Sequence, residues 1–364
     1  MKKLISFLLV LIFAFSGCQK EEPPEPPRTV GNCSFTMYDI YPEEGNVFSG
    51  VPCIFGNKIV FCTAHYVGTA PQGTGNIYVH DIDSGKESTY DDFVDNAFLC
   101  GDYLYYSDYD SDEKKCKLVK VNMQNGTKDV LFTAPDGRIL GMANGGSKKY
   151  FLFWTSVVTY YGDYSKTQYF FYNIEEDKYT AFPEEIVLNP RYSFKVKNDF
   201  IAFPRLESGE YSLCVLNLRN NKTESIYKTK KQPNQCIYNG DVLVWNDDDG
   251  VHYVKDGTAF DLDEKYGNNG GDIDLYGNRY IFFFYRFQIY IYDIETNQIV
   301  FSTKEKNEKD PHHPSYCEWL SLDEESGKAC FLLWDNELAF SLYKDWPYEE
   351  APELISVIDI KELE

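Results

Sequence analysis

No CxxC pair occurs in the 364 residues, which argues against a thiolate zinc site. No GxSxG turn and no sialidase-type Asp box are present, so nothing marks a nucleophilic serine or a sialidase repeat. The apolar run Leu4 to Phe15 is too short to span a bilayer as a helix. Positive charge is scarce: 35 Lys and Arg stand against 57 Asp and Glu, a net charge of −22. Such a surface repels nucleic acid, whose binding rests on neutralised phosphates, and it disfavours docking on anionic lipid. Histidine is scarce too, with His65, His80, His252, His312 and His313. The adjacent pair His312-His313 sits among Lys, Asp and Pro, and neighbours on an extended chain point apart, so it reads as exposed loop.

What is abundant is aromatic and β-branched sequence broken by turns. The stretch from Gly271 to Thr303 reads as four short strands. Ile273 to Tyr276 is apolar, and Gly277-Asn278 accepts the positive φ of a tight hairpin. Tyr280 to Tyr285 suits a buried pleat, Gln288 to Ile294 alternates Ile with Tyr, and Gln298 to Ser302 follows a further turn. One sheet of this size cannot bury both faces, and stacking copies around an axis solves that.

Copies are present. Turn signals recur at Gly56, Gly101, Gly146, Asn198, Gly240, Gly277 and Ser326, 37 to 52 residues apart. Each precedes an apolar strand: IVFC, YLYY, YFLFW, FIAF, VLVW, YIFFF, ACFLLW. A second landmark follows in register, from IYVHDI and LVKVNM to IYIYDI. The reading is all-β: one seven-bladed β-propeller of four-stranded antiparallel blades over residues 32–364. The last unit is the least clear, so six or eight blades also fit. Cys33 to Pro42 and Glu353 to Lys361 read as strands from the two chain ends that complete one blade and close the ring.

The start of the chain carries an address. Lys2-Lys3, the apolar run and Phe15-Ser16-Gly17-Cys18 resemble the signal peptide and lipobox of bacterial lipoproteins, with Phe15 where Leu is usual. The resemblance implies a signal peptide over 1–17 and lipidation of Cys18, with an outer-membrane anchor facing the periplasm or the cell surface. A plain signal peptide is the alternative. Residues 18–31, acidic and proline-rich, read as an extended tether. Glu21-Glu22 resembles the surface-export signal of Bacteroidetes lipoproteins. Of the nine remaining cysteines most lie inside apolar strand patterns and read as buried free thiols; nine cannot all pair within one chain.

The repeat units resemble propellers of the TolB, YWTD and WD40-like classes. Residues 101–131 (GDYLYYSDYDSDEKKCKLVKVNMQNGTKDVL) look like one such unit, and Trp319 to Asp323 with Gly327-Lys328 resembles the TolB-type W-S-x-D-G-K signature. The resemblance implies a fold and no catalytic residues, since propellers host binding and catalysis alike.

Candidate site residues follow from strand register. The second strands end at Thr63, Asp108, Trp154, Arg205, Trp245, Tyr285-Arg286 and Trp334, and the loop of 155–167 carries Tyr160 and Tyr161. Aromatic faces stack on sugars or clamp apolar side chains, and Arg fixes hydroxyls or carboxylates. Trp154, Tyr160, Tyr161, Arg205, Trp245, Tyr285, Arg286 and Trp334 therefore form a candidate binding face; for the Trp residues, packing between blades is the alternative. No cofactor is expected, although Asp108 to Asp112 has the alternating carboxylates of a calcium loop without its Gly or distal Glu. The expectation is a monomeric, non-enzymatic binding or scaffold lipoprotein with a glycan or protein ligand. The alternative is an envelope polysaccharide lyase, using His65, Tyr66 and Arg205, or a glycoside hydrolase, which needs carboxylates converging inside the funnel.

Overall fold

The computed structural model describes residues 51–67, 70–72, 76–92, 97–157, 167–183, 194–262, 271–285, 288–303, 316–334 and 353–360, with the short strands Arg28–Val30, Cys33–Phe35, Tyr38–Ile40 and Asn46–Phe48. Seven four-stranded antiparallel blades make a β-propeller. The stretch singled out in the sequence is blade 6: Ile273–Tyr276, Tyr280–Tyr285, Gln288–Asp293 and Gln298–Ser302 pair in that order. Six of the seven turn signals fall between the first and second strands of a blade, and Gly146 is the last residue of its first strand. Gly277 has φ +53 there, a left-handed backbone that Gly adopts without cost.

The ring closes through both ends of the chain. Blade 7 runs Tyr316–Asp323, Lys328–Trp334, Glu353–Asp359 and, outermost, Tyr38–Ile40. Cys33 to Pro42 is thus two short strands. Cys33–Phe35 pairs with Arg28–Val30, at the end of the expected tether, where β-branched Thr29 and Val30 follow the proline run.

Blade 1 departs from the pattern. Its second strand, Lys58–Val67, has ten residues. The far part pairs with Asn46–Phe48 on one side and Ala70–Gln72 on the other, so the expected loop from His65 begins as strand. In blades 1, 2, 4 and 6 the outer pairing carries a register shift. Such bulges add the twist a blade needs to stack on its neighbour.

The core lies between blades. Tyr105 of blade 2 packs on Phe151 of blade 3 at 4.9 Å, and Phe151 stacks on Tyr172 at 5.1 Å. A fully buried side chain of this kind stabilises by roughly 1.5–3 kcal/mol. Seven cysteines, among them Cys53, Cys100, Cys214 and Cys330, are buried free thiols, as expected. Burial pushes Cys53 up to about 11 and Cys100 up to about 12.

Candidate functional site

The innermost strands surround the propeller axis, and side-chain alternation decides what faces it. In blade 4, Val196 turns into the blade packing while Lys195 and Lys197 face inward. In blade 6, Ile273 is buried between blades while Asp272 and Asp274 reach those lysines. Lys195 Nζ lies 3.2 Å from Asp274 Oδ2 and 3.4 Å from Asp272, and donates to the carbonyls of Ile273 (3.1 Å) and Leu320 (2.9 Å). Lys197 Nζ lies 2.7 Å from Asp274 Oδ1 and 3.4 Å from Glu324 Oε1. Blades 4, 6 and 7 are tied together across the axis. Blade 5 supports them: Gln235 donates to Asp272 (3.1 Å) and accepts from the Ile273 N–H (2.7 Å).

Burial alone raises the Asp274 carboxyl, but Lys195 and Lys197 outweigh it and hold it below the usual carboxylate range. Burial likewise lowers Lys197, yet Asp274 and Glu324 outweigh it and leave it raised. Both groups are therefore charged across the physiological range.

Above this cluster opens a cavity of about 350 Å³. Its walls come from blades 1, 2, 3, 4, 6 and 7, at the ends of the inner strands that run into the first turns. Ile54, Phe55, Phe98 and Leu322 supply apolar surface. Glu324 and Glu325 stand at the mouth, and Lys148 Nζ of blade 3 reaches Glu325 at 3.4 Å.

The sequence reading favoured the opposite face, where the second and third strands join. Trp245 is only 3% exposed and packs between blades 4 and 5, flanked by Tyr227 and His252. It leaves the candidate binding face and belongs to the core. Trp154 is half-buried, its ring lying over Gly141 on the paired strand, where a Cβ would come within 2.4 Å of it. Arg205 is bound by Glu207, its Nε at 2.7 Å, and Ser212 donates to the same carboxylate. Tyr285 is half-buried beside Tyr290. Trp334 ends its strand, with its side chain outside the described residues. Cys18, Tyr160, Tyr161, Arg286, His312 and His313 lie outside the described residues, as do the side chains of His65 and Tyr66. In the Asp108–Asp112 segment, Asp110 accepts from the Asp112 and Glu113 N–H groups and from Lys117 at 2.8 Å, which makes it the organiser of a hairpin tip.

His252 sits on that same side of blade 5 between two carboxylates, Asp247 at 3.0 Å and Asp261 at 2.7 Å. Burial lowers its pKa, but both carboxylates outweigh that and raise it. A raised folded pKa gives stability that is full below the unfolded value near 6.5 and is lost as pH rises through the folded one. His252→Gln should flatten that decline in a melting-temperature series from pH 5 to 9. A wild-type curve that rises across this range would contradict the assignment.

No known protein family matches the sequence, and no curated protein does. Solved structures share the fold. The β-propeller domain of the trilobed protease from Pyrococcus furiosus, described as having an open velcro topology, aligns with TM-score 0.54 at 11% identity, covering 86% of this chain and 93% of that one. Oligogalacturonate lyase in complex with manganese aligns with TM-score 0.52 at 9% identity, covering 93% and 99%. Acylaminoacyl peptidase aligns with TM-score 0.53 at 10% identity; 80% of this chain matches 49% of that one, about half its length. These are likenesses of architecture.

Proposed function

We propose that the chain is a non-enzymatic binding protein of a bacterial envelope, monomeric, anchored through a lipidated Cys18, and that it receives a glycan or protein partner in the axial cavity. The observation that carries this reading is a cavity of about 350 Å³ walled by six blades, with apolar and charged groups facing one space. Pockets of this size and mixed lining are ordinary ligand sites. Three described groups of reactive type are engaged elsewhere, which supports binding over catalysis: the Cys53 and Cys100 thiols are pushed up by burial, and His252 is held by Asp247 and Asp261. The lyase alternative rests on His65, Tyr66 and Arg205, of which Arg205 is already paired with Glu207; the hydrolase alternative needs converging carboxylates, and Asp323, Glu324 and Glu325 line the same axial cavity.

A thermal-shift screen of the mature protein against glycans and envelope extracts tests the binding role. A ligand at 100 times its Kd stabilises by about 2.7 kcal/mol. Turnover of a polysaccharide in the same samples would sink the non-enzymatic reading. The anchor has its own test. Cys18→Ala should abolish metabolic labelling with a palmitate analogue and release the protein from the membrane fraction; continued labelling would exclude Cys18 as the acceptor.

A further inference from the structure

We propose that the axial cavity selects a neutral polyhydroxylated ligand, the size of a mono- or disaccharide, with Lys197 as the donor that holds it. This rests on the reading above, that the cavity is the binding site. Lys195 and Lys197 differ in what they have left to give. An ammonium has three N–H donors. Those of Lys195 are met by the carbonyls of Ile273 and Leu320 and by Asp274. Lys197, whose side chain is only 8% exposed, has one short contact, to Asp274, and one stretched to 3.4 Å, to Glu324. Its Cα lies about 7 Å further along the strand, two residues nearer the first turn, while both ammonium groups share the Asp274 carboxylate.

The acceptors face the same space. Among the described residues, the Glu324 carboxylate contacts only Lys197 and the Glu325 carboxylate only the exposed Lys148, each at 3.4 Å. A hydroxyl both accepts and donates, so one ligand hydroxyl can take the stretched Lys197 donor while another gives to Glu324 or Glu325. Phe55 and Phe98 line the same cavity; Phe98 is buried against Phe151, and half-buried Phe55 supplies apolar surface for a ring.

Charge disfavours an anionic ligand. Asp323, Glu324 and Glu325 at the mouth, on a chain of net charge −22, oppose a carboxylate. A cation would meet the Lys197 ammonium below them, but the lining is net negative, three lysines against Asp274, Asp323, Glu324 and Glu325, so the choice of a neutral over a cationic ligand is decided by the glucosamine arm of the test. The volume, about 350 Å³, lies at the small end of the roughly 300–1,000 Å³ range of ligand sites.

The test is titration calorimetry of the mature protein with glucose, galactose, mannose, N-acetylglucosamine and their disaccharides, beside glucuronate and glucosamine. At least one neutral sugar should bind, and Glu325→Trp should weaken it by about tenfold or more. That variant fills the mouth from a side chain that is 66% exposed, so folding is spared. Lys197→Met should weaken binding similarly. Sugar binding unchanged in both variants would place the ligand elsewhere and overturn the inference. Preference for glucuronate or glucosamine would overturn the neutral class. If no sugar binds, yet a protein captured from the envelope is lost in Glu325→Trp, the sugar inference falls while the binding role stands.

Discussion

Deletion of residues 353–360 should leave a chain with no cooperative unfolding transition. Their strand is the third of blade 7 and registers with Lys328–Trp334 over seven residue pairs, while the N-terminal strand adds three on its other side. Its two faces serve different neighbours. Ile355 and Val357 pack with Ile54 and Ile59 of blade 1. Ile358 and Ile360 pack with Phe282 and Ile291 of blade 6. All four are buried. At roughly 1.5–3 kcal/mol for each buried aliphatic side chain, the loss is on the order of 6–12 kcal/mol. Total stabilities run from about 5 to 15 kcal/mol, so the deletion consumes most of what a domain has. It also bares the Lys328–Trp334 edge and unfastens the N-terminal strand, which invites edge pairing between chains. Thermal melts followed by circular dichroism decide the point, with the single substitution Ile355→Asp as a milder companion. A deletion variant that melts at the wild-type temperature would mean that this strand does not close the ring.

That closure, like the blade count, was legible before any coordinates, and for a physical reason. A propeller repeats one local solution seven times, so turn chemistry and strand alternation are sampled seven times over. Asn198, with φ 53, stands where five other blades have Gly. One blade alone would have read as a weaker signal there. What was not legible is the extra pairing in blade 1. Ala70–Gln72 is three residues with a proline, and it pairs only because Lys58–Val67 runs on beyond its blade to meet it.

The sequence reading and the axial cluster point to opposite faces for a related reason. Attention went to large aromatics at strand ends, and aromatics at those positions serve packing as readily as recognition. Trp245 is the clear case: it fills the space between blades 4 and 5. The missed signal was smaller. Lys195-Val196-Lys197 and Asp272-Ile273-Asp274 alternate charge with a buried β-branched residue, the first directly before a first turn and the second two residues before one. On an innermost strand that alternation can only aim the charges at the axis. Two such strands of opposite sign, in blades separated by one other, announce an axial ion cluster.

That cluster carries the second large effect. Asp274→Ala should destabilise the protein by about 3–5 kcal/mol, the cost of leaving a buried charge without its partner. The carboxylate is shared by both lysines, and Lys197 would retain only Glu324 at 3.4 Å. Lys195 would keep Asp272 at 3.4 Å and its two carbonyl acceptors. The triple variant Lys195→Met, Asp274→Leu, Lys197→Met should recover much of the loss, because apolar groups of similar volume need no desolvation. Acid provides an independent check with a fixed sign. Lys195 and Lys197 hold the folded Asp274 carboxyl below its unfolded value, despite the upward push of burial. Its contribution is therefore complete above about pH 4 and is lost as pH falls through the folded pKa. Between pH 4 and 2 wild type should lose stability more steeply than Asp274→Ala, and the two curves should converge. Parallel curves, or a cost below about 1 kcal/mol at pH 7, would indicate that water screens the lysines as it does at a surface, and the cluster would then not hold the blades together.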